Sequence, residues 1–140
     1  MREKEFIPKE LSLELKQLGF NEPCLAFYDG KNAESFYFNN IRDASGDYIP
    51  FQKHDRLKWF GALLYQQAFR WFREKHQLIH YISWVYKKTY DGVDWFYQIK
   101  GINMINNNVL PHEETRFGTY EEAELECLKK LIELVKENNK

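Results

Sequence analysis

Four histidines, two cysteines and four serines are the side chains whose types would support catalysis or metal binding in this chain. His76 and His80 stand four apart, the spacing at which one helix offers two imidazoles to a zinc ion. That geometry needs an unbroken helix, and Gln77-Leu78 is expected to break it; no HExxH motif is present. His54-Asp55 and Glu74 share no spacing that requires a site. Ser12, Ser35, Ser45 and Ser83 lie outside any GxSxG elbow, and Cys24 lacks a motif that would pair it with a base. Asp43, Ser45 and Asp47 around Gly46 resemble part of a calcium loop, yet no Glu closes it at the twelfth position. The segment reads as a turn. The seven glycines are isolated, so no phosphate-cradling loop exists. The expectation is no catalytic residue, no metal ligand and no cofactor: a protein that is not an enzyme.

The elements that would position any site follow from composition and spacing. The 140 residues suit one domain, 1–140, long enough to bury a core without staples. Cys24 and Cys127 lack CxxC neighbours and read as two buried free thiols. The charged first residues lead into no apolar h-region, and no apolar stretch approaches the ~20 residues of a membrane span. A reducing cytoplasm and no membrane contact are expected.

Pro8 opens a helix carrying Leu11, Leu15 and Leu18, and Gly19 stops it. Cys24–Tyr28 and Ser35–Phe38 read as a hairpin across Asp29-Gly30, followed by an irregular stretch from Asn39 to Lys53. Asp55 is the expected N-cap of a long helix, Arg56 to about His76. Leu78–Tyr86 and Asp94–Lys100 form a second hairpin around Tyr90-Asp91-Gly92. An Asn-rich loop, Asn106 to Asn108, ends near Pro111, and Thr119-Tyr120-Glu121-Glu122 has the form of a capping box for a last helix reaching about Glu137. The predicted fold class is α+β, order αββαββα. One antiparallel or mixed sheet of about four strands packs against the long central helix and the C-terminal helix.

Of 24 aromatic residues, 13 fall between Trp59 and Tyr97. On the expected central helix, Leu57, Phe60, Leu63, Leu64, Tyr65, Ala68, Trp71 and Phe72 share one stripe facing the sheet. Trp84, Trp95 and Tyr97 are expected to pack in the hairpin. The opposite helix face carries Lys58, Gln66, Arg70 and Arg73, together with Trp59 and Phe69. Although the net charge is only -1, Lys53 to Lys100 holds nine basic residues against four acidic ones. The net charge thus argues against general binding to nucleic acid or membrane through bulk charge, but leaves room for a local patch. The candidate interaction surface is Trp59, Phe69, Arg70, Arg73, Lys87 and Lys88. Rings among cations are what single-stranded nucleic acid uses; a protein partner or a homo-oligomer is the other occupant. A double-stranded-RNA-binding module is disfavoured by Glu121, Glu122, Glu124 and Glu126 at the start of the last helix, which would repel phosphate.

Three stretches together, Leu11–Cys24 (LSLELKQLGFNEPC), Leu63–His76 (LLYQQAFRWFREKH) and Thr119–Ala123 (TYEEA), resemble a group of small proteins encoded by phages and prophages of Bacteroides-type bacteria. The likeness runs from the first helix to the last, excepting Asn39–Lys53 and Gly101–Phe117. It implies a mobile-element origin and a bacterial cytoplasm, and transfers no site. The expected function is that of a non-enzymatic accessory protein, an interaction module, with single-stranded nucleic-acid binding as the alternative.

Overall fold

The computed structural model describes residues 3–29, 36–38, 44–46, 59–101, 110–111 and 115–138. The chain divides into two compact units, 1–67 and 68–140, each with its own three-stranded sheet.

In the first unit, a 3₁₀ turn (Glu3–Glu5) precedes helix α1 (Lys9–Gln17), and Pro8 holds the N-cap. Gly19 ends α1 at a φ of 108°, a conformation that costs a residue without Cβ little. Its N–H reaches the Lys16 carbonyl (3.0 Å) and the Phe20 N–H reaches that of Leu15 (2.9 Å), a Schellman closure. Phe20 and Leu15 are both buried beside it. Strand β1 (Ala26–Asp29) lies between β2 (Phe36–Phe38) and β3 (Trp59–Ala62), antiparallel to each. Tyr28 stands opposite Phe36 and Phe60, and Ala26 opposite Ala62, so one sheet face gathers the cluster that Phe6 completes. Phe6 meets Phe36 edge-on at 5.0 Å, and the Tyr28 hydroxyl donates to the Ile7 carbonyl at 2.7 Å. A buried phenol thereby keeps its polar end satisfied.

β3 corrects the expected long helix. Trp59–Ala62 is strand, and only Tyr65–His76 is helix α2. Phe60 and Leu63 are buried as the stripe required, along with Ala68, Trp71 and Phe72, but Phe60 reaches the core from a strand. The apolar run from Trp59 to Leu64 carries no period that separates helix from buried strand. Partnership with β1, more than thirty residues earlier in the chain, settles it. Asp55 as N-cap, and Arg56 to Lys58, lie outside the described residues, as do the Gly30 turn, most of Asn39–Lys53, Asn106 to Asn108, His54 and His112.

α2 ends at His76; Gln77, at a φ of 54°, turns the chain directly into β4 (Leu78–Tyr86). The helix breaks between His76 and His80 as expected. β4 pairs along its whole length with β5 (Val93–Gly101), which pairs in turn with β6 (Leu110–Pro111). Beyond β6, Trp95 and Phe117 exchange two backbone hydrogen bonds of 2.8 Å. Helix α3 (Tyr120–Asn138) packs on β5 and β4. Its start is a modified capping box: the Glu122 N–H donates to Thr119 Oγ1 (3.1 Å), while the Glu122 carboxylate takes the N–H of Gly118 (3.2 Å). On its outer face the ion pairs are Glu126–Lys129 and Glu133–Lys130, each at 3.1 Å.

The α+β class holds. The sheet arrangement departs from expectation: β3 and β6 extend the two hairpins, the order among the described residues is αβββαβββα, and there are two sheets. No described helix is long and apolar enough to cross a membrane.

Candidate interaction surface

The β4–β5 register sorts the second sheet into two faces. His80/Ile99, Ile82/Tyr97, Trp84/Trp95 and Tyr86/Val93 stand opposite each other on one face; Ile79/Lys100, Tyr81/Gln98, Ser83/Phe96 and Val85/Asp94 stand on the other. The first face meets α3. Tyr97 is buried there and parallel to Phe117 (6.1 Å, 19°), and Tyr120 at the start of α3 meets Trp95 edge-on at 5.4 Å. Burial, reinforced by Cys127, Glu126 and Glu133 of α3, pushes the Tyr97 phenol up to about 12.

Helical cover ends before the hairpin does. Trp84 is 46% exposed, Tyr86 61% and Tyr90, at the turn, 81%. The three rings touch in sequence, Trp84 to Tyr86 edge-on at 5.1 Å and Tyr86 to Tyr90 at 6.2 Å. Trp84 was expected to pack, and it does not. On the opposite face Tyr81 is 47% exposed, with the Lys100 ammonium 5.3 Å from its ring centroid. Nine residues of strand outrun the part of the sheet that α3 covers, so the aromatic character of the hairpin end is presented to solvent.

Charge at this end is balanced. Lys87 and Lys88 at the tip are exposed, but Asp91 sits in the same turn and Asp94 is opposite Val85. The Thr89 hydroxyl donates to the Asp91 carboxylate, which lowers that carboxyl's pKa. On the neighbouring α3, Glu121 and Glu122 are exposed in the first turn.

The six residues read from sequence fall on three different elements or turns. Trp59 belongs to β3 of the first unit, opposite Asp29, and its side chain lies outside the described residues. Phe69 is 4% exposed and lies flat against His80 at 3.7 Å and 11°, so it offers no face to a ligand. Helical projection from a start at Arg56 put these two rings on one outer face; with strand to Ala62, that projection fails. Arg70 and Arg73 are exposed on α2, and Lys87 and Lys88 at the hairpin tip. Only the two lysines join the exposed rings. The missed residues, Tyr81, Trp84, Tyr86 and Tyr90, were signalled by a nine-residue strand with aromatics on both parities, more than one packed face absorbs.

Of the two described imidazoles, His80 is the more perturbed. Burial, then the nearby Arg73 charge, lowers it to about 4, so it is neutral against Phe69 at ordinary pH. Cys24 is buried, its thiol pushed up to about 12 by burial and then by Glu22; Cys127 is buried and also raised. Among the described residues no three His, Cys, Asp or Glu side chains form a group able to hold a metal ion. Compared with known proteins, the chain matches no family model, no curated protein and no solved structure.

Proposed function

We propose that this protein is a non-enzymatic interaction module whose contact surface is the aromatic end of the β4–β5 hairpin, Trp84, Tyr86 and Tyr90 with Lys87 and Lys88. Its cellular setting, taken from the sequence resemblance alone, is the bacterial cytoplasm, as an accessory protein of phage or prophage origin. The observation that carries the reading is the run of three solvent-exposed rings, each touching the next, on the β4–β5 hairpin. Tyr and Trp are the residues that protein interfaces concentrate, because each buries a large area with few rotors to freeze.

Charge decides between occupants. Two lysines offset by Asp91 and Asp94, with Glu121 and Glu122 on the neighbouring helix, give no net attraction for a phosphate backbone, so a protein is favoured over nucleic acid. The Lys87–Lys88 pair beside Tyr86 keeps single-stranded nucleic acid as the second reading.

A photo-crosslinking residue at Tyr90, with Glu133 as the control position, tests both. The expected result is a covalent adduct to protein at 90, absent at 133 and reduced at least five-fold by the double change Trp84→Ala with Tyr86→Ala. Adducts at both positions alike, or none at 90, would overturn the proposal. Binding of an oligothymidylate whose affinity falls steeply with salt would replace it with the second reading.

A further inference from the structure

We infer that the partner at this surface includes a second copy of the same chain, docked edge to edge through β4 in antiparallel register. The inference rests on the interaction-module reading and names its partner.

β4 is the outer strand of β4-β5-β6. The Lys87 N–H bonds the Gly92 carbonyl (3.0 Å), continuing the ladder in which Tyr86 faces Val93. Alternation along an antiparallel pair then turns the backbone groups of Ile79, Tyr81, Ser83 and Val85 inward to β5. Those of Leu78, His80, Ile82, Trp84 and Tyr86 turn outward. The Trp95–Phe117 bonds agree independently: Trp95, opposite Trp84, directs its backbone away from β4. Among the described residues, no strand pairs with the outward row. The opposite edge of the same sheet is covered by β6 and the Phe117 bridge.

Sheet edges in monomers are usually guarded by charge, proline, a bulge or short length. β4 has none of these. Its sequence, LIHYISWVY, holds no Lys, Arg, Asp, Glu or Pro, and nine consecutive residues keep register with β5. An unguarded edge of this length is a pairing template.

A two-fold axis through Ile82 uses all of it. Ile82 then faces its own equivalent, His80 faces the partner's Trp84, and Leu78 faces the partner's Tyr86, so every outward N–H and C=O finds a partner. The helix-covered faces of both sheets stay on one side, and the partner's Trp84 comes beside the Phe69–His80 stack. Charge disfavours the parallel alternative, although antiparallel docking does bring each Lys87 toward the partner's Gln77, beside the basic last turn of that α2. The edge itself is neutral, and antiparallel docking separates the two Lys87–Lys88 pairs by about 37 Å, 11 residues at ~3.4 Å per residue. That exceeds the ~8–10 Å screening length, whereas parallel docking would bring four lysines together.

Area sets the strength. Tyr81, Trp84 and Tyr86 have about 300 Å² of exposed ring surface to cover per copy, taking roughly 200 Å² for a whole ring. Even with the strand backbone added, this is at the small, transient end of specific interfaces. The dimer is therefore concentration-dependent.

Sedimentation and residue-resolved hydrogen exchange test it. The full chain should pass from monomer to dimer between about 5 and 500 µM. Across that range the amides of His80, Ile82, Trp84 and Tyr86 should slow at least ten-fold, while those of Tyr81, Ser83 and Val85, already bonded to β5, stay unchanged. Ser83 is exposed and diagonal to its own equivalent across the axis, so S83K alone and S83E alone should each weaken the dimer ten-fold or more, and their mixture should restore it. Should either variant misfold, Ile82→Pro removes one outward N–H and no bond to β5. Monomer at 500 µM, a dimer without the alternating protection, or one indifferent to both charges overturns the inference. If Tyr90 crosslinks a different protein while the chain stays monomeric, self-pairing falls and the interaction surface stands; loss of all Tyr90 adducts removes both.

Discussion

Gly61→Ala probes the packing of the first unit at a single atom. Gly61 lies in β3 opposite Phe27, and a Cβ there would sit 2.5 Å from Cys24 Sγ and 3.2 Å from Cys24 Cβ. Carbon–carbon and carbon–sulfur contacts are comfortable only beyond about 3.5 Å, so the Cys24 side chain must move. It has little room: Cys24 is buried, its Sγ–H donates to the Glu22 carbonyl at 3.5 Å, and Gln67 hydrogen-bonds the thiol while its Nε2 holds the Pro23 carbonyl at 2.8 Å. Overpacking of this kind costs about 1–3 kcal/mol. Removing a glycine from a strand returns roughly 0.5–1 kcal/mol, so the net loss should be about 1–2 kcal/mol. For a chain of 140 residues that is a fall in Tm of about 3–7 °C. Urea denaturation followed by circular dichroism measures it, in a cycle with Cys24→Ala. Removing Sγ should make the alanine tolerable and give a coupling of about 1 kcal/mol. A Gly61→Ala protein as stable as the parent, or a penalty that Cys24→Ala leaves untouched, would refute the contact.

Three further outcomes follow from the same geometry. His80 is lowered from 6.5 to about 4, so the unfolded chain binds the proton first; its contribution to stability is complete above pH 6.5, declines as pH falls toward 4 and is flat below. The full shift corresponds to about 3 kcal/mol, and solvent reaching the half-buried ring reduces this to about 1–2 kcal/mol; His80→Phe should flatten that part of the stability–pH curve, and an unchanged difference between parent and variant from pH 7 to 4 would count against it. Cys24 and Cys127 are buried with raised thiol pKa values, so at pH 8 neither should react with an aromatic disulfide reagent except at the rate of unfolding; rapid stoichiometric labelling of the native protein would contradict their burial. Thr119→Ala removes the acceptor of the Glu122 N–H and should cost about 1 kcal/mol by thermal denaturation, with Thr119→Ser retaining most of it; equal loss in both would argue that the hydroxyl is not the cap.

The ends of elements were legible where one residue type satisfies a local need. Gly19 closes α1 and Thr119 and Glu122 open α3 through bonds reaching only a few residues along the chain, and Gln77 separates α2 from β4 by its own positive φ. The β4–β5 hairpin was equally plain, because a turn sits between two runs of strand-favouring residues. β3 was not. Trp59 to Ala62 fits a helical stripe as well as a strand, and Gly61 reads as a blemish in either until Cys24 is seen against it.

The candidate surface divided along the same line. Lys87 and Lys88 were placed by the hairpin turn, which local sequence dictates. Phe69 and Trp84 exchanged the roles expected of them, since burial depends on how far a neighbouring helix reaches: Phe69 found His80, while Trp84 lies past the cover of α3. The sequence by itself determined the α+β class, the caps and turns, the start of the last helix and the concentration of rings between residues 59 and 97. Only the tertiary structure decided that there are two sheets, that β3 is a strand, and which rings face water, because pairing and cover are contacts between segments far apart in the chain and no local pattern encodes their reach.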